Sequence, residues 1–210
     1  MSTSHSAPRF HGAQRRPVLL FDVMDTLVHE PFHREMPAFF GMTLAELIAA
    51  KHPTAWIDFE LGRLEEGEFL RGFFRDRRPF DHAAFLESVS AAYRYLPGME
   101  ALLATLAARG HAIHALSNYP IWYRRIEARL GLSRYLAWSF VSCDTGVRKP
   151  DPGAFRGAAR TLGVEPATCL FVDDREENCA AARALGMEAL HFTSAEVLAA
   201  ELARRGLLAA

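Results

Sequence analysis

Short apolar runs alternate with helical patterns along most of this chain, and this alternation limits the folds that are open to it. Apolar runs of strand length occupy residues 18–22, 112–117, 137–142, 168–173 and 188–192. Helical patterns occupy residues 99–109, 121–130, 151–162, 176–185 and 195–204. Parallel strands need a crossover connection, which a helix usually supplies. The sequence therefore predicts an α/β fold built on a doubly wound parallel sheet.

Residues 31–96 interrupt the alternation, because they contain several short helical patterns and no convincing strand. The spacing of Thr43 and Glu46 is typical of a capping box at the start of a helix. We expect this block to form a small α-helical cap that is inserted after the first strand. Residues 17–30 and 97–210 then form the catalytic core.

Composition excludes several classes of partner. The net charge of −1 gives no reason to expect nucleic acid, and the apolar runs are too short to span a membrane.

The three cysteines lack a paired motif and are expected as small buried residues in a reducing cytoplasm. Residues 1–16 contain no acid, which is typical of targeting peptides, but they lack an amphipathic pattern. We expect residues 1–16 to form a disordered tail. We expect the protein to be a monomer or a homodimer.

Polar residues stand where three of the predicted strands end. Asp22 follows the first apolar run, Ser117 ends the second, and Asp173-Asp174 ends the fourth, while Lys149 lies just before a predicted helix. Each residue alone fits a turn, a helix cap or a charged surface. Ligands of open α/β sheets bind beyond the carboxyl ends of the strands, so the common placement of these residues favours one site.

The charges of this predicted site do not balance. Asp22, Asp173 and Asp174 bring three carboxylates together, and Lys149 offsets only one of them. Carboxylates packed this closely raise one another's pKa values or attract a cation. Mg²⁺ is the cation that fits best, because it binds through a few carboxylates together with waters and substrate phosphate.

The order and spacing of Asp22, Ser117, Lys149 and Asp173-Asp174 resemble the haloacid dehalogenase-like hydrolase superfamily, from residue 17 onward. The resemblance implies a Rossmann-like core, a mobile cap, and a small phosphate ester as substrate. In this interpretation Asp22 attacks phosphorus and forms an aspartyl-phosphate, which water then hydrolyses. Ser117 donates to a phosphoryl oxygen, and Lys149 keeps Asp22 ionised.

The resemblance also implies the ligands of the metal and the contacts to substrate. Mg²⁺ would be held by Asp22, the backbone carbonyl of Met24 and Asp174, with Asp173 acting directly or through water. The candidate substrate-binding residues are Thr26, which also steadies the first loop, and Asn118, Tyr119 and Trp56.

The chain departs from the family pattern at Met24. Most phosphatases of this superfamily carry a second aspartate two positions after the nucleophile, and it protonates the leaving group. Methionine cannot transfer a proton, and general acid catalysis is typically worth about 10²–10⁴-fold. Asp25, His29, His33 and a bound water are the candidates that remain open for this role.

The resemblance extends to the subgroup that contains the plant plastid flavin mononucleotide hydrolases, in which this methionine is expected. It implies that phosphate is removed from FMN to give riboflavin. Two other functions stay open, a metal-independent 2-haloacid dehalogenase and a non-catalytic flavin-phosphate binder. The segments that carry the resemblance are 21–26, 31–32, 37–42, 51–53, 56–57 and 117–123.

Overall fold

A five-stranded parallel sheet forms the centre of the computed structural model, which describes residues 16–208. Its strands are β1 (Val18–Phe21), β2 (Ile113–Ser117), β3 (Ala137–Val141), β4 (Cys169–Asp173) and β5 (Glu188–His191). They lie in the order β3-β2-β1-β4-β5. After β1, the chain adds β2 and β3 on one side of it and then β4 and β5 on the other side, so the strand order reverses at β1. The predicted α/β fold class is confirmed, while the predicted tail lies outside the described residues apart from Arg16.

The described part of the chain contains eleven α-helices in addition to this sheet. They are α1 (Glu35–Phe39), α2 (Leu44–Ala50), α3 (Ala55–Glu60), α4 (Glu66–Arg71), α5 (His82–Ala92), α6 (Met99–Ala108), α7 (Tyr123–Leu130), α8 (Ser142–Thr145), α9 (Pro152–Leu162), α10 (Glu176–Ala184) and α11 (Ala195–Arg204). No described helix has the length and apolar character that a membrane crossing requires.

Alternate strand residues bury against helices on the two faces of the sheet, as the period of two in a strand requires. Leu20 and Phe171 belong to one buried cluster, which includes residues of α9 and α10. Leu19 and Leu170 belong to the other, which includes residues of α6 and α11. Because both faces are covered, the strands are apolar almost throughout, which explains why they stand out in the sequence.

Helices α1 to α5 form the block between β1 and α6 that was predicted as a cap. The predicted capping box is confirmed: Thr43 Oγ1 accepts from the Glu46 N–H at 3.2 Å, and Glu46 Oε2 accepts from the Thr43 N–H at 2.8 Å. Aromatic side chains fill the interior of the block. The ring of Phe40 has five other ring centroids within 5.5 Å, those of Phe39, Phe73, Phe74, Phe80 and Phe85.

Helix α3 and the turn after it lie directly on the core. Ser142 Oγ donates to the backbone carbonyl of Glu60 at 2.6 Å and accepts from the Tyr119 N–H at 3.0 Å. A side chain at Gly62 would place its Cβ 2.3 Å from the backbone oxygen of Cys143. The Trp56 indole of α3 meets the Trp122 indole of the core, with ring centroids 5.7 Å apart.

We expect Gly62→Ala to destabilise the protein more than Gly41→Ala. Both glycines have positive φ, +68° and +64°, so each substitution should cost about 1–2 kcal/mol in the left-handed region. Gly41 has open space where a Cβ would lie, whereas a Cβ at Gly62 would meet Cys143, which should add about 1–3 kcal/mol. Urea denaturation of both variants measures the difference. Equal losses would show that α3 does not sit this closely on the core.

Candidate active site

Three carboxylates meet at the carboxyl ends of β1 and β4. The parallel register pairs Phe21 with Val172, so Asp22 and Asp173 follow at the same level of the sheet. The Asp22 N–H donates to the Val172 carbonyl at 2.8 Å, which extends this pairing. Oxygen atoms of Asp22, Asp173 and Asp174 all lie within 4.8 Å of one another. Three carboxylates that are distant in the sequence therefore form a single cluster.

Lys149 is the cation at the centre of this cluster. Its Nζ lies 2.8 Å from Asp22 Oδ1 and 2.6 Å from Asp173 Oδ2, and only 2% of its side chain is exposed. Burial acts to lower the pKa of Lys149, but the two carboxylates outweigh burial and raise it, so the ammonium stays charged. Asn118 fixes the backbone here, since its Nδ2 donates to the Lys149 carbonyl and its Oδ1 accepts from the Lys149 N–H, at 2.8 and 2.7 Å.

Asp173 and Asp174 have different environments although they are neighbours. Asp173 is fully buried, and beside Lys149 it accepts from the Arg175 N–H at 2.8 Å and from Asn178 Nδ2 at 3.0 Å. Asp174 is half-buried and lines the cavity described below, whereas Asp173 does not. Of this pair, Asp174 is therefore the carboxylate that can reach a ligand directly.

The cluster carries excess negative charge. Burial raises the pKa of Asp22 to about 7; Lys149 opposes this shift, and the charges of Asp173 and Asp174 add to it. Burial and Asp173 also raise the pKa of Asp174. Three carboxylates facing one ammonium leave a deficit that a divalent cation would fill, and oxygen donors are the ligands that Mg²⁺ prefers. The residues present therefore fit Mg²⁺.

Ser117 ends β2, the strand next to β1, with 2% of the residue exposed, and it does not line the cavity described below. Within residues 16–208 its Oγ has no hydrogen-bond partner. A buried hydroxyl without a partner costs about 1–3 kcal/mol, so such groups in native proteins usually serve a ligand or a water. The hydroxyl is available to donate to an anion.

A cavity of about 170 Å³ opens in front of Asp22, and all but one of the residues that line it are polar or charged. Met24 is the single apolar residue in that wall and is 7% exposed. The residues that line the cavity are Asp22, Met24, Asp25, Glu30, His33, Glu60, Asn118, Arg148, Lys149, Asp174, Arg175 and Asn178.

Sequence reasoning missed four charged residues of this wall, which are Glu30, Glu60, Arg148 and Arg175. Glu30 directly precedes the proline at the start of the cap, and this hinge position is the one signal that could have identified it. Glu60 ends α3 and forms an ion pair with Arg148, with Glu60 Oε2 3.0 Å from Arg148 Nη2. Arg148 is the neighbour of Lys149, but nothing in the sequence indicates that it pairs with the cap.

Three of the four residues assigned to substrate lie away from the cavity. Thr26 is fully buried, and its Oγ1 accepts from the Asp174 N–H at 3.1 Å. The Tyr119 hydroxyl hydrogen-bonds to the Tyr93 hydroxyl at 2.9 Å. Trp56 donates from Nε1 to Glu60 at 2.6 Å within an aromatic cluster. Asn118 lines the cavity, although its amide already bonds the Lys149 backbone.

The three side chains considered as proton donors lie in different places relative to the cavity. His29 does not line the cavity, and its Nε2 lies 2.9 Å from the carboxylate of Glu35. Asp25 and His33 do line it and face each other, with Asp25 Oδ2 3.8 Å from His33 Nε2. The other oxygen of Asp25 accepts from the Glu30 N–H at 3.1 Å.

Comparison with known proteins gives the family. Residues 17–186 match a family model described as haloacid dehalogenase-like hydrolase. Flavin mononucleotide hydrolase 1 of Arabidopsis thaliana, a protein named as chloroplastic, is 48% identical over 97% of this chain and 83% of its own length. A sesquiterpene phosphatase of Aspergillus oryzae is 27% identical, covering 77% of this chain and 84% of the relative.

Solved structures agree on the fold. A family enzyme from Bacteroides thetaiotaomicron, in complex with magnesium and inorganic phosphate, has a TM-score of 0.68 at 18% identity, covering 84% of this chain and 94% of the other. An L-2-haloacid dehalogenase has a TM-score of 0.60 at 23% identity, covering 83% of each chain. These likenesses show the fold alone, while the family model and the Arabidopsis relative show that this chain is a hydrolase of the haloacid dehalogenase-like family.

Proposed function

We propose that this protein is a Mg²⁺-dependent phosphomonoester hydrolase that works through an aspartyl-phosphate on Asp22, with FMN as its substrate. The observation that carries the proposal is the cluster of three carboxylates around one buried lysine, beside a small polar cavity. A phosphoryl group needs positioning and neutralisation of charge more than it needs covalent chemistry. Both the deficit of positive charge and the free Ser117 hydroxyl fit those needs.

Each residue of the cluster has a separate task in this proposal. Asp22 attacks phosphorus, and Lys149 favours the ionised form of its carboxylate through the 2.8 Å contact. Ser117 donates to a phosphoryl oxygen. Asp173 holds Lys149 in place, and Thr26 holds the backbone of Asp174. Mg²⁺ bound by Asp22, the Met24 carbonyl and Asp174 would neutralise charge on the phosphoryl oxygens.

The pair Asp173-Asp174 favours a phosphatase over a 2-haloacid dehalogenase. A haloacid carries its own carboxylate, and without a metal it would be repelled by a cavity that presents Asp22 and Asp174. A phosphate ester can share the metal with these same carboxylates. The curated relatives that are named as phosphatases support the same choice.

FMN is proposed because the Arabidopsis relative, at 48% identity over nearly the whole chain, covers the cap as well as the core. The cavity of about 170 Å³ is smaller than the roughly 300–1,000 Å³ of pockets that hold drug-sized ligands. We therefore infer that the cavity takes the phosphate end of the substrate and that the flavin ring extends beyond its mouth. We also propose a cytoplasmic monomer or homodimer, and the three free cysteines fit a reducing compartment.

Phosphate release tests this function. It is measured from FMN, pyridoxal phosphate, sugar phosphates and p-nitrophenyl phosphate, with Mg²⁺ and with EDTA. We expect FMN to be the preferred substrate and EDTA to reduce its turnover at least about 10²-fold, because the metal supplies several kcal/mol of charge stabilisation. Halide release from 2-haloacids that resists EDTA would instead support the dehalogenase. Tight FMN binding without phosphate release would support the binder.

A further inference from the structure

The wall of the active-site cavity contains no aspartate at the position where a leaving-group acid would be expected. Met24 stands two residues after Asp22 and lines the cavity, and its thioether has no proton to give. An alkoxide is a poor leaving group, so an ester such as FMN needs a proton as its P–O bond breaks. Another group on this wall must supply that proton.

Most of the charged groups on the wall are already engaged. Both oxygens of Glu60 are engaged, Oε2 by Arg148 and Oε1 by the Trp56 indole, and these contacts lower its pKa although burial outweighs them and leaves it raised. Asp25 and His33 are open to water, with 39% and 55% of their side chains exposed. A group this exposed exchanges protons with solvent and offers little control over where the proton goes.

Glu30 differs from these groups because no cation pairs with it. Among the described residues, the cations that line the cavity are bound elsewhere: Arg148 to Glu60, Lys149 to Asp22 and Asp173, and Arg175 to Glu177. His33 lies beside Asp25 rather than Glu30. One oxygen of Glu30, Oε1, accepts from the Phe32 N–H at 3.0 Å. That contact leaves Oε2 available for the cavity.

Most of the groups that face Glu30 favour its protonated form. Burial and the carboxylates of Asp25, Glu60 and Asp22 together raise the pKa of Glu30 to about 8, against the Phe32 N–H, which lowers it. The nearby hydroxyls of Tyr93 and Tyr119 are neutral, since burial raises both of their pKa values. Glu30 therefore carries a proton at neutral pH, as a general acid must.

We propose that Glu30 is the general acid that protonates the leaving group, in place of the aspartate that Met24 replaces. The inference rests on the proposed phosphatase function. As Asp22 bonds to phosphorus, the P–O ester bond breaks and its electron pair takes the Glu30 proton, which releases the alcohol. Water then attacks the aspartyl-phosphate, its protons leave with the inorganic phosphate, and the Glu30 carboxylate takes up a proton from solvent. Both the proton and the charge of Glu30 are thus restored.

Glu30 lies at the start of the cap, where the chain leaves the core. Its N–H is held by Asp25 at 3.1 Å, and its side chain caps the short helical turn Pro31–His33 that leads into α1. The carboxyl group thus sits on the hinge through which the cap connects to the core. The acid is in place when the turn is formed.

The experiment compares Glu30→Gln on two esters that differ in their need for an acid. Without an acid, riboflavin would leave FMN as an alkoxide, whereas p-nitrophenol leaves p-nitrophenyl phosphate as a stable phenolate. We expect Glu30→Gln to lower kcat on FMN by about 10²–10⁴-fold and kcat on p-nitrophenyl phosphate by less than about tenfold. Glu87→Gln makes the same change on the exposed surface of the cap and should leave both rates unchanged.

The pH profile gives a second readout. In the wild type, kcat on FMN should fall as pH rises through the pKa of Glu30, and this limb should be absent with p-nitrophenyl phosphate and in Glu30→Gln. Equal losses on the two esters, or a loss below tenfold on FMN, would overturn the role of Glu30. Retention of turnover in Asp22→Asn would instead overturn the phosphatase itself, so the two failures are distinguishable.

Discussion

Asp22→Asn is expected to reduce phosphate release from FMN and from p-nitrophenyl phosphate alike, by at least about 10⁴-fold, because the amide is not a nucleophile. The change is nearly isosteric, and Lys149 keeps its 2.6 Å contact to Asp173. The fold should therefore persist. Single-turnover release of phosphate, measured with excess enzyme, separates lost chemistry from slow product release.

The same variant has an expected signature in stability. Burial raises the pKa of Asp22 from 3.8 to about 7, so the metal-free folded state binds a proton that the unfolded state has released. Stability contributed by this group therefore falls as pH rises from about 4 to about 7. In EDTA, thermal unfolding of Asp22→Asn should depend less on pH across this window than the wild type does. A lower midpoint than the wild type at pH 8 would contradict this account.

Lys149→Met is the second variant with a large expected effect. It removes the ammonium that lies between Asp22 and Asp173, and breaking a buried ion pair by removing one partner costs about 3–5 kcal/mol. Turnover should fall at least about 10³-fold, because removing one group that stabilises transition-state charge costs about 10²–10³-fold and Asp22 also loses its partner. The free energy of unfolding and kcat are measured on the same preparation.

Lys51→Met is the matched control, since Lys51 lies on the cap and does not line the cavity. It should change neither quantity greatly. If Lys149→Met were as stable and as active as this control, the cluster would not depend on its central charge. Excess Mg²⁺ should recover part of the lost stability, because a bound cation supplies positive charge to the same carboxylates.

Local patterns predicted the five strands and five of the core helices, and each predicted end lies within two residues of the observed end. The core strands are apolar because both faces of the sheet are covered, so each is visible in the sequence as a separate run. The one core helix that was missed is α8, and the predicted third strand ran to residue 142, where α8 begins. A helix of four residues has too few positions to show a period.

The polar centre of the site was predictable for a topological reason. Parallel strands bring their carboxyl ends to one edge, so residues that follow β1, β2 and β4 meet whatever the connections are. The far wall was not predictable, because Glu60 and Arg148 meet only when the cap docks on the core. Trp56 and Tyr119 were expected at the substrate for their aromatic character, and in the structure their rings lie 6.0 Å apart within the packing between cap and core.

The contact between Trp56 and Trp122 gives the protein an intrinsic fluorescent probe of the contact between cap and core. These are two of the three tryptophans in the chain, and they lie on opposite sides of the boundary between cap and core, 5.7 Å apart. Any movement that lifts α3 away from the core separates the two indoles and exposes them to water. Intrinsic fluorescence in the near ultraviolet therefore reports the position of the cap in solution, without an attached dye.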